Sequence, residues 1–493
     1  MTSSSPSTSS NVRPWTGAAR ALYSVGIRPR FRWQELGLLV VSAAALATGW
    51  ASLQSFRNEL LELGEAGLLA TYLVIVFVIH VAFVITGRRM DQVLFPTAAL
   101  LAGISLLLMQ RLPQDLVSQE IAGQQLSLGP LQLVWIAAGF VILSATAIFV
   151  RSDGWLRRYK YTWAAAGIGL LLLVFMFGEV TGGARLTLRI GPLAGQPSEL
   201  LKVILVVFLA GYLAENRAML SASSTRVGPL NLPPIPYLLP MLAMWGIALA
   251  IVIVQRDLGA ALLYFLVFLA LLYVATRRAS YVVLGLLLFV GGGAVLYGMF
   301  PHVQDRIDIW IDPFADPQGA GYQIIRAMYA YGRGGILGTG LGAGLPQVGV
   351  IPSIPAIHTD FVFAALAEEM GMLGALGILG LYALIAQRGF RIAASAADDF
   401  RALLATGLTL VIVIQAAIIC GGNLRVVPLT GITLPMISYG GSSMLVNGAV
   451  IGLLLALSDR GVEPPPPGTK PNVVRRLGRR ARGLGGRVEE ALS

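Results

Sequence analysis

One short segment, 358–361, combines residue types suited to proton transfer and reads His-Thr-Asp-Phe. Its acid, Asp360, stands at the end of a long loop, 301–360, just before the chain enters another apolar run. A carboxylate near membrane depth is costly unless it faces a polar cavity or a partner, which favours a catalytic or ion-coupling acid. The alternative is an interfacial residue that caps the following helix, because Asp is favourable at a helix start.

Other charged residues stand inside apolar runs and are expected to pair within the protein. Glu368 and Glu369 follow Asp360 about two helical turns deeper, and we interpret them as members of structural ion pairs. Glu199 and Lys202 are three residues apart, which places them on one helix face within pairing distance. Alternatively, Lys202 together with Arg185 could present positive charge to an anionic substrate.

Two polar turns separate apolar runs further along the chain. In the first, Arg256 and Asp257 could pair at the interface or line a site. In the second, 435–443, paired glycines and serines predict irregular backbone, which is tolerated at membrane depth only where protein or water satisfies it. The chain has no Walker pattern, so a glycine-rich phosphate-binding loop is not predicted.

Candidate metal ligands are few. The chain has one cysteine and three scattered histidines, which excludes a disulfide framework and a cysteine-based metal site. Asp312 and Asp316 flank a short segment, 312–317, that predicts a rigid turn. A divalent cation between them is the alternative, but two carboxylates are too few ligands to define such a site.

These residues must be positioned by membrane-spanning helices. Of the 493 residues, 56% are hydrophobic and 12% are charged, whereas soluble domains have about 25% charged residues. A spanning helix needs roughly 20 mostly apolar residues, and the chain contains about twelve such runs. They predict an all-α, polytopic transmembrane helical bundle with a large extracellular loop, 301–360, that carries short helices. The runs lie near 36–53, 66–86, 93–109, 131–150, 162–178, 197–214, 237–254, 258–275, 281–300, 363–386, 403–420 and 444–457.

The distribution of Lys and Arg predicts how the bundle is oriented. If the N-terminus is cytoplasmic and the spans alternate, these residues are concentrated on the inner side, as the positive-inside rule requires. We therefore interpret the net charge of +11 as a topology signal and as attraction to anionic membrane lipid, rather than as nucleic-acid binding. The predicted organisation is a cytoplasmic basic tail, 1–33, a transmembrane domain, 34–459, and a cytoplasmic Pro/Arg-rich tail, 460–493, in the cytoplasmic membrane.

Taken in order, these segments resemble the SEDS family of shape, elongation, division and sporulation proteins, which includes RodA, FtsW and SpoVE. The resemblance covers 183–459 and is strongest to actinobacterial-type RodA proteins. This chain departs from many relatives in having two additional N-terminal spans before a ten-span core, in reading Arg185-Leu186 instead of Arg-Trp, and in having Arg256 before Asp257. The matching pieces are Arg185, Gln196-Pro197-Ser198-Glu199, Lys202, Asp257-Leu258-Gly259, Gly321-Tyr322-Gln323, Gly338-Thr339-Gly340-Leu341-Gly342, His358-Thr359-Asp360-Phe361, Glu368-Glu369 and Ser438-Tyr439-Gly440-Gly441-Ser442-Ser443.

The resemblance implies an inverting peptidoglycan glycosyltransferase that polymerises lipid II, the polyprenyl diphosphate-linked disaccharide-pentapeptide, at the outer membrane face. It implies that Asp360 is the catalytic base and that a class B penicillin-binding protein is the cross-linking partner. No cofactor is certain, and a divalent cation stays open. The implied substrate-binding residues are Arg185, Lys202, Arg256, His358, Thr359, Ser438 and Ser442, and the implied structural ion-pair residues are Glu199, Lys202, Asp257, Glu368 and Glu369.

Two other classes of function remain open at this stage. A transporter or lipid II flippase could use the intramembrane charges at 199–202 and 368–369 for alternating access. A non-catalytic cell-wall scaffold would need neither these charges nor Asp360. The use of the protein in elongation, division or sporulation is not predicted by the sequence.

Overall fold

The chain folds into a bundle of long helices joined by short helices and small antiparallel sheets, as seen in a computed structural model. Each predicted apolar run lies within a helix, to within one residue at either end. This agreement confirms the predicted all-α, polytopic architecture. The structure describes residues 29–57, 66–113, 116–121, 124–150, 153–181, 184–190, 193–222, 225–227, 230–232, 235–344 and 354–459. The predicted tails, 1–33 and 460–493, lie almost wholly outside the described residues.

Fifteen α-helices occur in the described part of the chain. They are α1 (Trp33–Arg57), α2 (Ala66–Thr86), α3 (Leu94–Arg111), α4 (Leu128–Phe149), α5 (Gly154–Arg158), α6 (Lys160–Phe177), α7 (Pro197–Ala222), α8 (Ile235–Val254), α9 (Leu258–Thr276), α10 (Ala279–Met299), α11 (Pro301–Ile311), α12 (Tyr322–Gly334), α13 (Val362–Ser395), α14 (Asp399–Asn423) and α15 (Gly441–Ser458). Eleven of them are long and apolar enough to cross a membrane, and α8 adds a shorter apolar stretch, Leu239–Val254.

The loops that connect the spans contain structure that the sequence predicted only in part. The long loop 301–360 carries α11, a short 3-10 helix (Pro313–Ala315) and α12, in agreement with the expected short helices. The apolar runs did not predict the small sheets. Their strands are β1 (Gln119–Ile121), β2 (Gln124–Leu126), β3 (Glu179–Thr181), β4 (Ala184–Ile190), β5 (Leu193–Gly195), β6 (Thr225–Val227) and β7 (Leu230–Leu232), paired antiparallel in the order β1-β2, β3-β4-β5 and β6-β7.

The core of the bundle is formed by helices that pack at close backbone distance. Helices α4 and α15 contact each other extensively, and the approach depends on Gly139 and Gly448. A Cβ on Gly448 would lie 2.3 Å from the Gly139 carbonyl oxygen, so a larger residue would force the two helices apart. Small residues commonly permit such close packing between membrane helices. This pairing helps to fix the segment 435–441, which precedes α15.

Successive spans alternate in direction, so the bundle has two faces. Arg32, just before α1, contacts Met90 after α2, and Arg88 after α2 contacts Asp459 at the end of α15, so these three helix ends lie on one face. The opposite face carries the β3-β4-β5 sheet, the α8–α9 turn and the loop that ends at Asp360. The sequence predicted this turn correctly, because α8 ends at Val254 and α9 begins at Leu258.

Helix α13 is longer than its apolar run predicted and is interrupted near its start. It extends from Val362 to Ser395, and Gly371 within it has φ +67° and ψ −171°. A Cβ at Gly371 would lie 2.3 Å from the Gly338 nitrogen, so the glycine-rich segment 338–344 packs directly against the interruption. Asp360 therefore precedes a short first segment of α13 that is held from one side by this glycine-rich segment.

Candidate active site

Asp360 is held in a tight turn just before α13. Its backbone nitrogen and that of Thr359 each donate to the Ala356 carbonyl oxygen at 3.0 Å, and Ala356 adopts the left-handed region with φ +54°. The Asn423 side chain, at the end of α14, donates to the Asp360 carbonyl oxygen at 2.8 Å. The Asp360 turn is thus fixed mainly by backbone contacts.

The segment that precedes α15 supports the same turn from the other side. The Ser438 hydroxyl donates to the Thr359 carbonyl oxygen at 2.5 Å and accepts from the Leu434 nitrogen at 2.8 Å. The Tyr439 nitrogen donates to the His358 carbonyl oxygen at 2.8 Å. The predicted irregular backbone of 435–443 therefore has a position-fixing role for the 358–361 segment. The substrate role predicted for Ser438 stays a prediction.

The electrostatic environment of Asp360 differs from that of an exposed acid. The side chain is partly buried, and burial raises its pKa from 3.8 to about 6, against the opposing effects of a hydrogen bond from Thr359 and the charge of Arg306. In the described part of the chain, Asp360 makes no ion pair within 4.0 Å. It is ionised at neutral pH but is a stronger base than an ordinary aspartate, as proton abstraction requires.

Arg306 of α11 is the cation whose charge acts on this carboxylate, and it was not predicted from the sequence. Asp360 Oδ2 lies 3.6 Å, and Arg306 Nη2 lies 3.8 Å, from the position that a Cβ would take on Gly431. Arg306 also interacts electrostatically with Asp257. No local pattern in 301–311 marks Arg306, because its partners Leu429, Asp257 and Asp360 come from distant segments of the chain.

A polar cavity opens beside Gly431. The cavity itself is small, about 30 Å³, and it opens to solvent. Gly431 therefore forms part of the cavity wall and is also adjacent to Asp360 and Arg306. Its lining includes the polar residues Ser198, Glu199, Lys202, Asp257, Gln415 and Thr433.

Lys202 is fully engaged within this wall. Its ammonium nitrogen donates to Glu199 at 2.5 Å, to Gln415 at 2.9 Å and to Asn447 at 3.1 Å. An ammonium group has three N–H donors, so the three contacts satisfy all of them. The Thr433 hydroxyl donates to the second oxygen of Glu199 at 3.4 Å. The predicted ion pair of Glu199 with Lys202 is present, and this geometry favours the structural interpretation over substrate binding by Lys202.

The α8–α9 turn places Arg256 and Asp257 differently. The Asp257 side chain is buried, caps α9 by accepting from the Ala260 nitrogen at 3.0 Å, and accepts from Gln196 at 3.5 Å. Burial raises the pKa of Asp257, and Glu199 adds to the effect. Arg256 is exposed and has φ +65°. Asp257 therefore acts as a helix cap that lines the cavity and faces Arg306.

The remaining predicted acids pair at the glycine-rich segment 338–344. Glu368 is buried and contacts Arg333 of α12 at 3.0 Å. Glu369 is buried and forms an ion pair with Arg111 at the end of α3, while its second oxygen accepts from the Gly342 nitrogen at 3.1 Å. These contacts connect α3, α12 and α13, so both acids stabilise the support of the Asp360 turn.

Other predicted residues lie apart from this cluster. Arg185 belongs to β4, where it pairs with Val180 of β3, and its side chain lies outside the described residues. Ser442 is partly exposed in the first turn of α15. His358 packs its ring 5.8 Å from that of Tyr439, and its buried Nδ1 has no hydrogen-bond partner among the described residues.

Asp312 and Asp316 form turns instead of converging on one point. Asp312 accepts from the Phe314 nitrogen at 3.0 Å, and Asp316 accepts from the Gly319 and Ala320 nitrogens at 3.0 and 2.9 Å. This geometry favours the predicted rigid turn. Within the described ranges, no group of three or more His, Cys, Asp or Glu residues could hold a metal ion.

Asp360 is thus a partly buried carboxylate near Arg306 and a small cavity with polar residues in its lining. The model of a cell cycle protein family that comprises FtsW, RodA and SpoVE matches residues 91–461. The chain belongs to this FtsW/RodA/SpoVE family. The match begins after α2, so α1 and α2 lie outside it.

Individual relatives are similar over most of their length. A Mycobacterium tuberculosis protein named peptidoglycan glycosyltransferase RodA is 37% identical over 371 residues, which is 75% of this chain and 78% of the relative. A Thiomicrospira cyclica protein named probable peptidoglycan glycosyltransferase FtsW is 35% identical over 319 residues. The alignment covers 64% of this chain and 78% of the relative.

Two solved structures share the fold. One is a chain of a peptidoglycan synthase complex that coordinates polymerization and crosslinking, with a TM-score of 0.59, 27% identity, and coverage of 75% of this chain and 98% of that chain. The other is the rod shape determining protein RodA of Thermus thermophilus, with a TM-score of 0.50, 25% identity, and coverage of 75% and 97%.

Proposed function

We propose that this FtsW/RodA/SpoVE family protein is a peptidoglycan glycosyltransferase that polymerises lipid II into β-1,4-linked glycan strands, with a RodA-like use in cell elongation and shape as the first choice. The observation that carries the proposal is Asp360, a partly buried carboxylate whose pKa is raised to about 6 beside Arg306 and a polar cavity. The relatives named as peptidoglycan glycosyltransferases support the reaction class.

In the proposed reaction, Asp360 acts as the general base. The 4-hydroxyl of a GlcNAc unit attacks the anomeric carbon of the MurNAc unit of another lipid, and its proton passes to a carboxylate oxygen of Asp360. The bond from that carbon to the diphosphate breaks, and its electron pair leaves with the polyprenyl diphosphate. Base and leaving group act from opposite sides of the reacting carbon, so the configuration inverts, as in inverting glycosidases.

The site is proposed to face outward from the cytoplasmic membrane, with both termini in the cytoplasm. The distribution of Lys and Arg supports this orientation. In this orientation, Asp360 would lie on the side where the glycan must be released. Apolar grooves between the spans would hold the polyprenyl chains. Since the similar solved chain comes from a complex that coordinates polymerization and crosslinking, a class B penicillin-binding protein is the proposed partner.

The other predicted residues are proposed to surround the sugars and the diphosphate. His358 and Thr359 precede Asp360 in the chain, and Ser442 is partly exposed at the start of α15, which suits contacts to hydroxyl groups. The exposed Arg256 and the strand residue Arg185 are proposed to attract the anionic substrate. A divalent cation remains a secondary proposal for stabilising the diphosphate.

The direct test is polymerisation of purified lipid II by the full-length protein in detergent or nanodiscs. Wild type is expected to form glycan polymer, and Asp360→Asn is expected to reduce the rate by about 10²–10⁴-fold, the usual contribution of a general base. Burial disfavours the ionised form of the Asp360 carboxyl group. The neutral amide of Asp360→Asn should therefore not lower the unfolding temperature.

Asp308→Asn is a matched control, since Asp308 is exposed on α11 and accepts a hydrogen bond from Tyr297 at 3.0 Å. This control is expected to retain wild-type activity. Full polymer from Asp360→Asn would exclude Asp360 as the base, and absence of polymer from well-folded wild type with its penicillin-binding partner would reject the proposed reaction.

A further inference from the structure

We infer that Arg306 binds the diphosphate of the donor lipid and holds it as the leaving group opposite Asp360. This inference rests on the proposed function and adds a substrate-binding residue to it. Arg306 lies on α11, in the loop between α10 and α13, and is not among the residues that the sequence analysis proposed for substrate binding.

The hydrogen bonds of Arg306 leave most of its donors available. The Nη1 atom donates to the Leu429 carbonyl oxygen at 3.0 Å, which anchors the guanidinium beside Gly431. A guanidinium has five N–H donors, and within the described ranges the others make no hydrogen bond. An anchored arginine with free N–H groups has the planar, forked geometry that matches phosphate oxygens in a bidentate contact.

Lys202, which lines the cavity, lacks this availability. Lys202 uses its three N–H donors on Glu199, Gln415 and Asn447. Arg425 donates to the Trp310 and Ile311 carbonyl oxygens and so fastens α11 to the end of α14. Lys202 is therefore structural and Arg425 holds α11 in place, whereas Arg306 keeps free N–H groups beside Gly431, which lines the cavity.

The spacing between Arg306 and Asp360 fits a group placed between them. Both side chains lie within 4 Å of the Cβ position of Gly431, but they do not form an ion pair within 4.0 Å in the described structure. If Arg306 served only to hold Asp360, direct pairing would be expected. In an inverting displacement, the nucleophile and the reacting carbon lie between the base and the leaving group. A cation that lies near the base without contacting it is therefore suitably placed to bind the leaving diphosphate.

Gly431 makes room for this arrangement. It has φ +70°, a conformation that favours glycine, and its exposed backbone forms the cavity edge between the two side chains. A side chain at this position would occupy the space between Asp360 and Arg306. The absence of a Cβ therefore keeps open the position where the anomeric carbon and the diphosphate oxygen would lie.

The positive charge of Arg306 is compensated before substrate binds. Arg306 interacts electrostatically with both Asp257 and Asp360, so the guanidinium does not stay uncompensated in its partly buried position. A diphosphate that enters brings additional negative charge, and this charge increases as the bond to the anomeric carbon breaks. A fixed cation that is already anchored stabilises this developing charge without reorganisation.

The test measures binding of farnesyl diphosphate, a short polyprenyl diphosphate, to the purified full-length protein by calorimetry, with farnesol as the probe without a headgroup. Arg306→Gln is expected to weaken farnesyl diphosphate binding by about ten-fold or more, because a charge-assisted contact is lost, and to leave farnesol binding unchanged. The matched control is Arg326→Gln on α12, where the guanidinium lies over the Tyr322 ring at 5.0 Å, and wild-type affinity is expected.

Three results would overturn the inference: no binding of farnesyl diphosphate to wild type, unchanged affinity in Arg306→Gln, or equal losses for farnesyl diphosphate and farnesol. If Arg306→Gln does not fold, Arg306→Lys replaces it, with an expected loss of a few-fold for the diphosphate alone; an unchanged diphosphate affinity in that variant overturns the inference. Wild type that polymerises lipid II while Arg306→Gln binds normally would reject the inference and keep the proposed function. Arg306-dependent binding without polymerisation by wild type would do the reverse.

Discussion

Glu199 and Asp360 are two carboxylates near the same cavity, and their surroundings differ in one decisive respect. Glu199 is buried and pairs with Lys202, whose remaining donors are also satisfied. Asp360 is fixed through its backbone, and its carboxylate lies near Arg306 without forming an ion pair with it. A buried ion pair removes reactivity from both partners, whereas an acid that is positioned but not neutralised retains the capacity to accept a proton.

The two carboxylates also differ in how they affect stability. Removing one partner of a buried ion pair leaves an uncompensated charge and is strongly destabilising, while replacing both partners by neutral groups is often tolerated. Asp360 shows the opposite relation, since burial of its ionised form costs stability at neutral pH and provides basicity. The sequence alone does not distinguish these two situations, because both acids stand near the start of an apolar run.

The largest effect that tests this difference is expected from Lys202→Ala. The change leaves Glu199 buried without its cation and should lower the free energy of unfolding by about 3–5 kcal/mol. The double variant Glu199→Gln/Lys202→Met removes both charges and should be considerably more stable than Lys202→Ala. Unfolding of the detergent-purified proteins by heat or denaturant gives the comparison.

Lys202→Ala with wild-type stability and lost affinity for farnesyl diphosphate would reverse the interpretation of Lys202. It would then be a substrate-binding residue, which is the alternative that the sequence analysis left open, and the contrast between Glu199 and Asp360 would disappear.

A second prediction concerns the pH dependence of polymerisation. Because the base must be ionised and the pKa of Asp360 is about 6, kcat/KM should be nearly constant above that pH. At pH values well below this pKa, kcat/KM should fall by about ten-fold per pH unit. The charge of Arg306 lowers the pKa of Asp360, so Arg306→Gln should move the acid limb to higher pH.

The measurement is the initial rate at low lipid II concentration across this pH range, with the residual rate of Asp360→Asn as the baseline. A limb near the ordinary aspartate value in wild type would show that Asp360 is not desolvated in the working enzyme. An Arg306→Gln limb that moves to lower pH would contradict the electrostatic arrangement described here.

The spans were predictable from sequence because about twenty apolar residues in succession have few alternatives to a membrane helix. The end of α13 was not predictable, since Arg388 and Arg391 lie beyond the predicted run. Arg388 contacts Asp91 at 3.7 Å, and such a long-range partner has no local signal. The β3-β4-β5 sheet was missed because its strands are short and lie between two spans.

The candidate site was predictable only where its residues occur in a recognisable local pattern. Asp360 stood out because it precedes an apolar run, and the residue types at 358–361 drew attention to it. Arg306 has no such pattern, and its relation to Asp360 depends on the way α11 folds against Gly431 and Leu429. The engagement of Lys202 likewise depends on Gln415 and Asn447, which come from two other helices.

The smallest predicted effect concerns Ser438, whose role the sequence assigned to substrate binding. Its hydroxyl bridges the Leu434 nitrogen and the Thr359 carbonyl oxygen, so Ser438→Ala should lower the free energy of unfolding by about 1–3 kcal/mol, because buried polar groups lose a partner. The looser turn should reduce kcat several-fold, less than Asp360→Asn, and leave KM nearly unchanged. Ser395→Ala is the matched control, since the Ser395 hydroxyl donates only within its own helix, to Ile392 at 3.0 Å.

The split between kcat and KM decides between the two roles of Ser438. A residue that contacts the sugar would raise KM for lipid II, with little change in unfolding temperature. A residue that holds the Asp360 turn would lower both stability and kcat, and would also make the pH profile less steep because the carboxylate would sample more exposed positions. A raised KM at wild-type stability would therefore assign Ser438 to the substrate and leave the turn to depend on Asn423 and Tyr439.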